Sequence, residues 1–237
     1  MEKKIGFLVG GIILIFAIVA SVLIANNTSN ASFNFQVMAK RATATNTENY
    51  NPDSIIPADE NSGNLPEKII GKENPELIIY EYADYSCSHC AELSPVVNKI
   101  VADYDGKVAV VFRNYLIDYF KNNVISACAA TAAGIQGYWE PYKNLLFQKQ
   151  DEWYYMKGTE LTDYLGWILT EVSNGQTNLD QFYKDMRSDS VAQRVAFEFS
   201  LGSHFDDLEG TPYFRINGQS VKIDKLRSTV EKLMGEA

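Results

Sequence analysis

Cysteine and positive charge are both scarce in this chain of 237 residues. Three cysteines are far too few for a scaffold held by disulfides, and the odd count leaves one thiol without a partner inside the chain. The 21 basic residues face 30 acidic ones, so the net charge of −9 repels phosphate backbones and no nucleic-acid partner is expected. Apolar residues are plentiful: at 46% hydrophobic and 12% aromatic, the composition excludes a disordered chain and supports a core of about one domain.

Charge is missing altogether from one N-terminal run, between Ile5 and Ala25. Its length of about 21 residues matches the roughly 20 that a helix needs to cross a bilayer. Lys3 and Lys4 precede the run, and the positive-inside rule then places the N-terminus in the cytoplasm. We therefore expect residues 1–25 to be a transmembrane anchor in the cell membrane, with a long cleaved signal sequence as the alternative. Both interpretations place the rest of the chain on the extracytoplasmic side.

Residues 26–65 lack the periodic apolar spacing of a helix or a strand and are rich in Asn, Thr, Ser and Ala. Such a composition predicts a flexible linker. The short apolar stretch from Phe33 to Met38 allows a docking segment, but an incidental apolar island in a linker is the preferred interpretation.

An alternation of strand and helix patterns begins after this linker. Glu76–Tyr82 and Lys107–Asn114 are short runs of β-branched and aromatic residues, typical of buried strands. Between them the apolar residues follow helical spacing, with Pro95 as an expected kink and Gly106 as the stop. Those helical positions are Leu93, Val96, Val97, Ile100, Val101 and Tyr104. The sequence thus predicts a β-helix-β unit with parallel strands.

Helical spacing then continues without a strand signal through residues 121–204. Residues 212–216 and 219–221 form a hairpin pattern around a turn, and a last amphipathic helix follows. The apolar positions of that helix are Ile223, Leu226, Val230 and Leu233. We expect an α/β domain made of residues 66–120 and 205–237, interrupted by a helical insertion over residues 121–204.

The chemistry of the chain centres on Cys87-Ser88-His89-Cys90, its single closely spaced cysteine pair. A spacing of three brings both sulfurs to one side of a first helical turn, where a disulfide can close. Because the N-terminus of a helix stabilises an anion, Cys87 is expected to be a thiolate near neutral pH. His89 favours the reduced thiolate form further, so the pair is predicted to be oxidising.

Two other interpretations of the pair remain open. A zinc site would need two more ligands from Cys128, His204 and the carboxylates, and no second closely spaced pair exists. A structural disulfide closing so short a loop would restrict the unfolded chain little. Cys128 lies on an apolar, Ala-rich helical face and is expected to be buried as a small hydrophobe, while His204 suits a surface or capping role.

The order of these motifs resembles a known family. A strand ends in Glu81-Tyr82-Ala83-Asp84-Tyr85-Ser86, the cysteine motif and a helical insertion follow, and Gly210-Thr211-Pro212 precedes a strand. The insertion contains Gln136-Gly137-Tyr138-Trp139-Glu140, which is similar to a helix junction of the inserted domain in that family. The chain resembles DsbA-type thiol:disulfide oxidoreductases of the thioredoxin superfamily over about residues 67–237. The resemblance implies a thioredoxin-like fold with an inserted helical domain.

The resemblance also implies a role for each matching residue. Cys87 would be the exposed nucleophile and Cys90 the buried cysteine that resolves mixed disulfides. Thr211 and Pro212 would be joined by a cis peptide bond and offer backbone to an extended substrate; an ordinary trans proline opening an edge strand is the alternative. Glu81 would be a buried acid assisting proton transfer at the resolving cysteine, with a solvent-facing strand carboxylate as the alternative.

Two departures from the family pattern concern oxidising strength. Ser88 stands where oxidising relatives commonly have proline, and Thr211 stands where the best-known oxidase has valine. The Gly-Pro pair typical of reducing thioredoxins is also absent between the cysteines. On balance the sequence favours a disulfide oxidase that needs no organic cofactor, because its redox group is the Cys87–Cys90 disulfide.

The partners expected from the resemblance are reduced or unfolded exported proteins as substrates and a quinone-linked membrane oxidase for reoxidation. A monomer is expected, because no sequence for a dimerising domain is present. Two alternatives stay open: a reductase or isomerase of the same fold, and a non-catalytic anchored binding module whose cysteine pair is structural or binds metal.

Overall fold

The computed structural model describes residues 34–72 and 74–235. The strands are β1 (Lys68–Ile70), β2 (Leu77–Ala83), β3 (Val108–Asn114), β4 (Tyr213–Ile216) and β5 (Gln219–Val221). The helices are α1 (Phe35–Ala44), α2 (Ser88–Asp103), α3 (Asn123–Ile135), α4 (Trp139–Gln148), α5 (Gln150–Trp153), α6 (Gly158–Val172), α7 (Leu179–Asp185), α8 (Asp189–Gly202) and α9 (Ile223–Leu233). The strands form one mixed sheet in the order β1-β3-β2-β4-β5.

The parallel pair β2 and β3 forms the centre of this sheet, and Glu81 lies opposite Phe112 in its register. Every residue of β3 is buried, as are all residues of β2 except Ile78. Helices cover both faces of the pair, so its strands are continuous apolar runs rather than alternating ones. The predicted β-helix-β unit is confirmed, and α2 continues past Pro95 to Asp103.

The C-terminal hairpin and helix are also confirmed. Strand β4 pairs antiparallel with β2 and β5 pairs antiparallel with β4, and Asn217 and Gly218 adopt positive φ angles of 49° and 78° in the turn. Helix α9 buries Leu226 and Val230. This hairpin brings the residues that precede β4 to the end of β2, where the cysteine motif begins.

Strand β1 was not predicted from the sequence. It has three residues, pairs antiparallel with β3, and alternates between buried Lys68, half-exposed Ile69 and buried Ile70. Three residues are too few to show a period of two, and a lysine at an inward position hides the pattern.

Helices α3 to α8 all lie between β3 and β4 in the chain, where a helical insertion was predicted. Within the described residues, no strand interrupts them. Their apolar faces join the core beneath the sheet, with Leu146, Leu165, Ile168 and Val195 completely buried. The insertion therefore shares one continuous core with the sheet, and its helices can contact the cysteine motif.

The prediction of a flexible linker over residues 26–65 is wrong for the part that the structure describes. Asn34 caps α1 by accepting a hydrogen bond from the Gln36 amide at 2.8 Å, and α1 packs on α8. Met38 and Ala42, one turn apart, are 1% and 2% exposed. The inward-facing Phe35, Met38 and Ala42 follow helical spacing, but a helix of ten residues is marginal on its own, so tertiary packing stabilises it.

The following residues 45–65 are also held against the body. Asp53 forms an ion pair with Arg215 of β4 at 2.7 Å, and the Arg113 guanidinium of β3 donates a hydrogen bond to the carbonyl of Ser54 at 2.8 Å. Ile56 is 3% exposed and belongs to an apolar cluster with Tyr82 on the sheet. This segment is consequently part of the folded body.

A buried ionic cluster fixes β1 and β3 to α8. The Glu67 carboxylate accepts hydrogen bonds from Arg113 at 2.8 Å and from Arg194 at 3.3 Å. Glu198 pairs with Arg194 at 2.7 Å and also with Lys68. These charges lower the pKa of Glu198 to about 2 although burial opposes the shift. The cluster explains how charged side chains are tolerated inside the core.

In the described ranges, no helix combines the length and the apolar character needed to cross a bilayer. The anchor predicted for residues 1–25 lies outside those ranges.

Candidate active site

The turn from β2 into α2 carries the two cysteines. Cys87 has extended backbone angles and is the N-cap of α2, so the helix begins at Ser88 and Cys90 lies in its first turn. The predicted position of the pair at a helix N-terminus is confirmed. Neither cysteine forms a disulfide in this structure, which therefore represents the reduced form.

The environment of Cys87 stabilises its thiolate. A hydrogen bond from the Cys90 thiol has the largest effect, and the Thr211 side chain and the backbone N–H groups of Cys90 and His89 contribute further. Burial acts in the opposite direction, yet the pKa of Cys87 falls to about 6. Two of the stabilising donors are the unpaired N–H groups at the start of α2, as the position of the motif predicted.

Cys90 has the opposite electrostatic character. It is completely buried, and burial together with the hydrogen bond to the Cys87 sulfur raises its pKa well above the ordinary value. The two thiols are therefore unequal, one a ready thiolate and the other a thiol that resists ionisation. This asymmetry makes the sulfur of Cys87 the more readily ionised one of the reduced pair.

The expectation that Cys87 is exposed is wrong for this form of the chain, because its residue is 4% exposed. The cause is the loop before β4, where the Thr211 carbonyl oxygen accepts a hydrogen bond from the Cys87 sulfur at 3.2 Å. The Thr211–Pro212 peptide bond is cis, as the resemblance implied, so the alternative of a trans proline is wrong. The loop covers the reactive sulfur with its backbone.

Ser88 and His89 are exposed beside the covered sulfur. The backbone N–H of His89 points at the Cys87 sulfur and lowers its pKa. The structure thus brings Cys87, Cys90, His89 and Thr211 together, as the sequence predicted.

Glu81 lies on β2 and is 2% exposed, so the alternative of a solvent-facing carboxylate is wrong. Burial raises its pKa to about 7, although the nearby Lys143 ammonium acts against the shift. Lys143 belongs to α4 of the insertion, is itself buried, and donates hydrogen bonds to Ser94 at 3.2 Å and Asn98 at 2.9 Å on α2. The insertion therefore supplies a cation to the interior next to the cysteine helix.

Asp84 is a second buried acid, to which sequence analysis gave no role. It is completely buried, and its carboxylate accepts hydrogen bonds from the backbone N–H groups of Ser86 at 2.8 Å and Ile117 at 2.9 Å. Burial still raises its pKa to about 7, and the charge of Cys87 adds to the increase. The sequence placed Asp84 inside the family motif, but only the structure shows that its carboxyl is buried and interacts electrostatically with Cys87.

The insertion also contacts the turn that precedes the cysteines. The Trp139 indole donates a hydrogen bond to the Tyr85 hydroxyl at 3.0 Å, and the Gln150 side chain reaches the backbone of the same turn. Trp139 belonged to the junction noted in the sequence. Gln150 carried no signal, because its partners lie more than 60 residues away in the chain.

The remaining candidate residues lie apart from the dithiol. Cys128 is buried on α3 as predicted, and burial raises its pKa to about 12. The exposed His204 bonds through its ring nitrogen to the Thr47 hydroxyl at 2.8 Å. Among the residues that the structure describes, no three His, Cys, Asp or Glu side chains are grouped to hold a metal ion.

Comparison with known proteins defines the family. The thioredoxin family model Thioredoxin_4 matches residues 64–234, so the chain belongs to this thioredoxin family. Alpha-DsbA1 of Wolbachia pipientis superposes with a TM-score of 0.57 at 20% identity, covering 75% of this chain and 97% of that protein. The thioredoxin-superfamily assignment made from the sequence is confirmed, and the likeness to alpha-DsbA1 shows the shared fold.

Two relatives in sequence match over most of the chain. A Rickettsia typhi protein named for protein-disulfide oxidoreductase activity is 24% identical over 71% of this chain and 62% of its own length. The Na⁺/H⁺ antiporter NhaA 3 of Salinispora tropica is 28% identical over 70% of this chain, but over only 23% of its own length. The chain thus spans about three fifths of the first relative and about a quarter of the second.

Proposed function

We propose that this protein is a membrane-tethered thiol:disulfide oxidase that introduces disulfides into exported proteins outside the cytoplasm. The observation that carries the proposal is the contrast between its thiols: the pKa of Cys87 is lowered to about 6, while that of the buried Cys90 is raised well above its ordinary value. The family assignment and the name of the Rickettsia relative support the same reaction class.

The acidity of Cys87 also supports the proposed direction of exchange. A thiolate that the protein stabilises makes the reduced form more stable, so the corresponding disulfide gives up its oxidising equivalents readily. The N-terminus of α2 and the donors around Cys87 stabilise charge that exists only in the reduced form. The geometry therefore favours an oxidase over a reductase.

The proposed cycle begins with the oxidised enzyme. A substrate thiolate attacks the Cys87 sulfur, a mixed disulfide forms, and the Cys90 sulfur leaves with the electron pair of the broken bond. A second substrate thiolate then attacks the substrate sulfur of the mixed disulfide, and Cys87 leaves as a thiolate. The substrate has lost two electrons and gained a disulfide, and the enzyme is left as the dithiol.

Cys90 must accept a proton when it leaves, because its buried thiolate is unstable. Glu81 and Asp84 are the two buried acids in this region, and burial raises the pKa of each to about 7. Each can therefore carry a proton at neutral pH and deliver it to the interior, directly or through another group. We assign Glu81 to this step, with Asp84 as a second proton donor.

The loop before β4 is proposed to bind substrate. Thr211 presents its carbonyl oxygen next to the Cys87 sulfur and precedes the edge hairpin of β4 and β5. An extended substrate segment can pair with this backbone, which suits varied unfolded chains since main-chain pairing is independent of sequence. Reoxidation would fall to a quinone-linked membrane oxidase, which the family resemblance suggests and which the proposed anchor over residues 1–25 would bring near.

The first test is the reduction potential of the full chain, equilibrated with glutathione buffers and read by thiol alkylation. We expect a value towards the roughly −120 mV of strong oxidants, and a value near roughly −270 mV would identify a reductase instead. If Cys87 and Cys90 showed no reversible two-electron exchange, the assignment as an enzyme would be wrong.

The location is tested separately in intact cells. We expect the full chain to stay in the membrane fraction after carbonate extraction and Cys87 to be labelled by a membrane-impermeant maleimide once the disulfide has been reduced. Cys128 is the internal control, because burial raises the pKa of its thiol to about 12 and it lacks the reactive thiolate that Cys87 forms. Labelling of Cys87 only after lysis would contradict the extracytoplasmic location.

A further inference from the structure

The peptide groups of the turn before the cysteines have an uneven distribution of hydrogen bonds. Within Asp84–Cys87, two N–H groups are satisfied locally: the Asp84 carboxylate accepts from Ser86 at 2.8 Å and the Asp84 carbonyl accepts from Cys87 at 3.1 Å. Two carbonyl groups of the same turn, those of Tyr85 and Cys87, are bound from elsewhere in the chain. Their donor is a side chain of the insertion.

Gln150 is that donor. Its side-chain nitrogen lies 2.7 Å from the Tyr85 carbonyl oxygen and 3.1 Å from the Cys87 carbonyl oxygen, so one NH₂ group uses both hydrogens on this turn. The residue is 8% exposed, and water therefore cannot easily replace its side chain. A buried carbonyl group that loses its donor keeps the desolvation penalty, which makes the contact with Tyr85 costly to break, whereas the Cys87 carbonyl would keep the Ala91 amide as a donor.

Gln150 is itself held firmly in place. It opens the short helix α5, whose Trp153 is completely buried and donates a hydrogen bond from its indole to the Leu146 carbonyl at 2.9 Å. The Asn122 side chain binds the next turn, donating to the carbonyl groups of Trp153 at 3.2 Å and Tyr154 at 2.9 Å. The amide of Gln150 is thus presented from a rigid support.

We propose that Gln150 is a positioning residue for the dithiol: by holding the carbonyl groups of Tyr85 and Cys87, it fixes the Cys87 sulfur against the N–H groups that open α2. The inference rests on the proposed redox function of the same site and adds a residue of the helical insertion to it. Cys87 is the N-cap residue, and its carbonyl also accepts from Ala91 at 3.1 Å. Gln150 therefore acts where the turn becomes the helix.

The effect is one of geometry and not of charge, because a glutamine is neutral. The stabilisation of the Cys87 thiolate comes from hydrogen bonds with the Cys90 thiol, the Thr211 side chain and the N–H groups of Cys90 and His89. Such contacts weaken steeply with small changes of distance and angle. When the turn is released, the sulfur loses part of this set of donors, the thiolate becomes less stable, and the disulfide becomes a weaker oxidant.

The test compares Gln150→Leu with Gln193→Leu in the full chain. Gln193 of α8 is a matched control, since its side-chain nitrogen also makes two hydrogen bonds, to the Thr45 hydroxyl at 3.2 Å and the Asn61 carbonyl at 3.0 Å, away from the dithiol. Thiolate absorbance gives the acid dissociation constant of Cys87, and Cys128 does not interfere because its pKa is about 12.

We expect Gln150→Leu to lower the acid dissociation constant of Cys87 about tenfold, which is one pH unit in the midpoint. At pH 8 its equilibrium constant for reduction by glutathione should fall by about the same factor. Gln193→Leu should leave both values unchanged while lowering the thermal midpoint. If Gln150→Leu lowers only the thermal midpoint, as the control does, Gln150 is structural and the inference is wrong.

Two further measurements cover a variant that fails to fold. Gln150→Asn keeps the amide but is one methylene shorter, so it cannot hold both carbonyl groups, and we expect an intermediate acidity for Cys87. In the wild-type chain, the NMR resonances of the Gln150 side-chain NH₂ group should shift as Cys87 titrates. Resonances that stay constant through the titration would overturn the inference. Absence of any glutathione exchange in the wild-type chain would instead contradict the proposed function.

Discussion

The sulfur of Cys87 lies 3.2 Å from the carbonyl oxygen of Thr211, the residue before the cis-proline. This contact belongs to the thiol form, because a thiolate has no hydrogen to donate to the oxygen. When Cys87 ionises or joins a mixed disulfide, the carbonyl group is released. The oxygen that covers the protonated sulfur is then free for the substrate pairing proposed above.

The three cysteines are expected to respond differently to substitution. Cys87→Ser should abolish exchange, since the attacking sulfur is lost. Cys90→Ser should trap mixed disulfides with substrates, because the buried resolving sulfur is missing. Trapped adducts can be counted on non-reducing gels.

Cys128→Ser is the control for this series, because Cys128 is buried on α3 away from the dithiol. It should retain full exchange activity. Trapping by Cys87→Ser instead of Cys90→Ser would show that the roles of the two sulfurs are reversed.

Thr211→Val tests the hydroxyl beside the sulfurs. The Thr211 Oγ1 atom is buried and has no hydrogen-bond partner among the described residues, so its hydrogen can turn towards a thiolate. The Thr211 side chain lowers the pKa of both cysteines. Loss of a hydrogen bond worth about 0.7 kcal/mol should make the acid dissociation constant of Cys87 about threefold smaller in the variant.

The matched control for Thr211→Val is Thr131→Val, which removes a buried hydroxyl that donates to the Ala127 carbonyl at 2.8 Å on α3. This variant should leave the titration of Cys87 unchanged. Equal titration curves for Thr211→Val and the wild-type chain would exclude the hydroxyl from any part in thiol acidity.

Glu81 makes stability depend on pH in the direction opposite to an ordinary ion-paired carboxylate. Its pKa is raised in the folded state to about 7 from an ordinary value of 4.5, so the unfolded chain releases this proton first. Its contribution favours the folded state below pH 4.5 and is lost as pH rises to about 7. Chemical denaturation across this window should show a decrease in the free energy of unfolding as pH rises. Glu81→Gln should make that decrease smaller by about 2 kcal/mol.

The same variant should slow the exchange steps that protonate or deprotonate Cys90, by about a hundredfold for loss of a general acid. Glu92→Gln, an exposed carboxylate on α2, is the comparison and should change neither stability nor rate. If Glu81→Gln exchanges at the wild-type rate at every pH, proton transfer to and from Cys90 would be assigned to Asp84 instead.

Met38→Ala tests whether the N-terminal helix belongs to the folded body. Met38 is 1% exposed, and truncating a buried methionine costs about 2–5 kcal/mol. Its neighbour Val37 is 43% exposed, so Val37→Ala should change stability by less than about 0.5 kcal/mol. Equal free energies of unfolding for the two variants would mean that α1 does not stabilise the body.

The sequence predicted those parts of the fold whose pattern is local. A stretch of about ten residues is enough to recognise each of these patterns: the apolar runs of β2 and β3, the helical spacing between them, and the hairpin turn at Asn217. Helix α1 and strand β1 could not be found in this way. Their stability comes from contacts with α8 and β3: β1 has only three residues, and the helical spacing of α1 is confined to ten residues within a segment of linker-like composition.

The same distinction applies to the site. Cys87, Cys90 and the Thr211–Pro212 bond were predicted because they lie in short motifs. Lys143 and Gln150 could not be predicted, because each gains its role from contacts with residues about 45 to 65 positions away. A buried glutamine or lysine in a helical insertion has no local signature of such a role.

The folding of α1 against α8 shortens the proposed tether. A flexible chain of 40 residues would have a root-mean-square span of roughly 35 Å, but the residues from Phe35 onward are folded onto the body and cannot add to such a span. With the proposed anchor, the dithiol would stay nearer the bilayer surface than a linker flexible over its whole length would hold it. Its effective concentration towards the proposed membrane oxidase would then be higher, at the expense of its reach towards distant substrates.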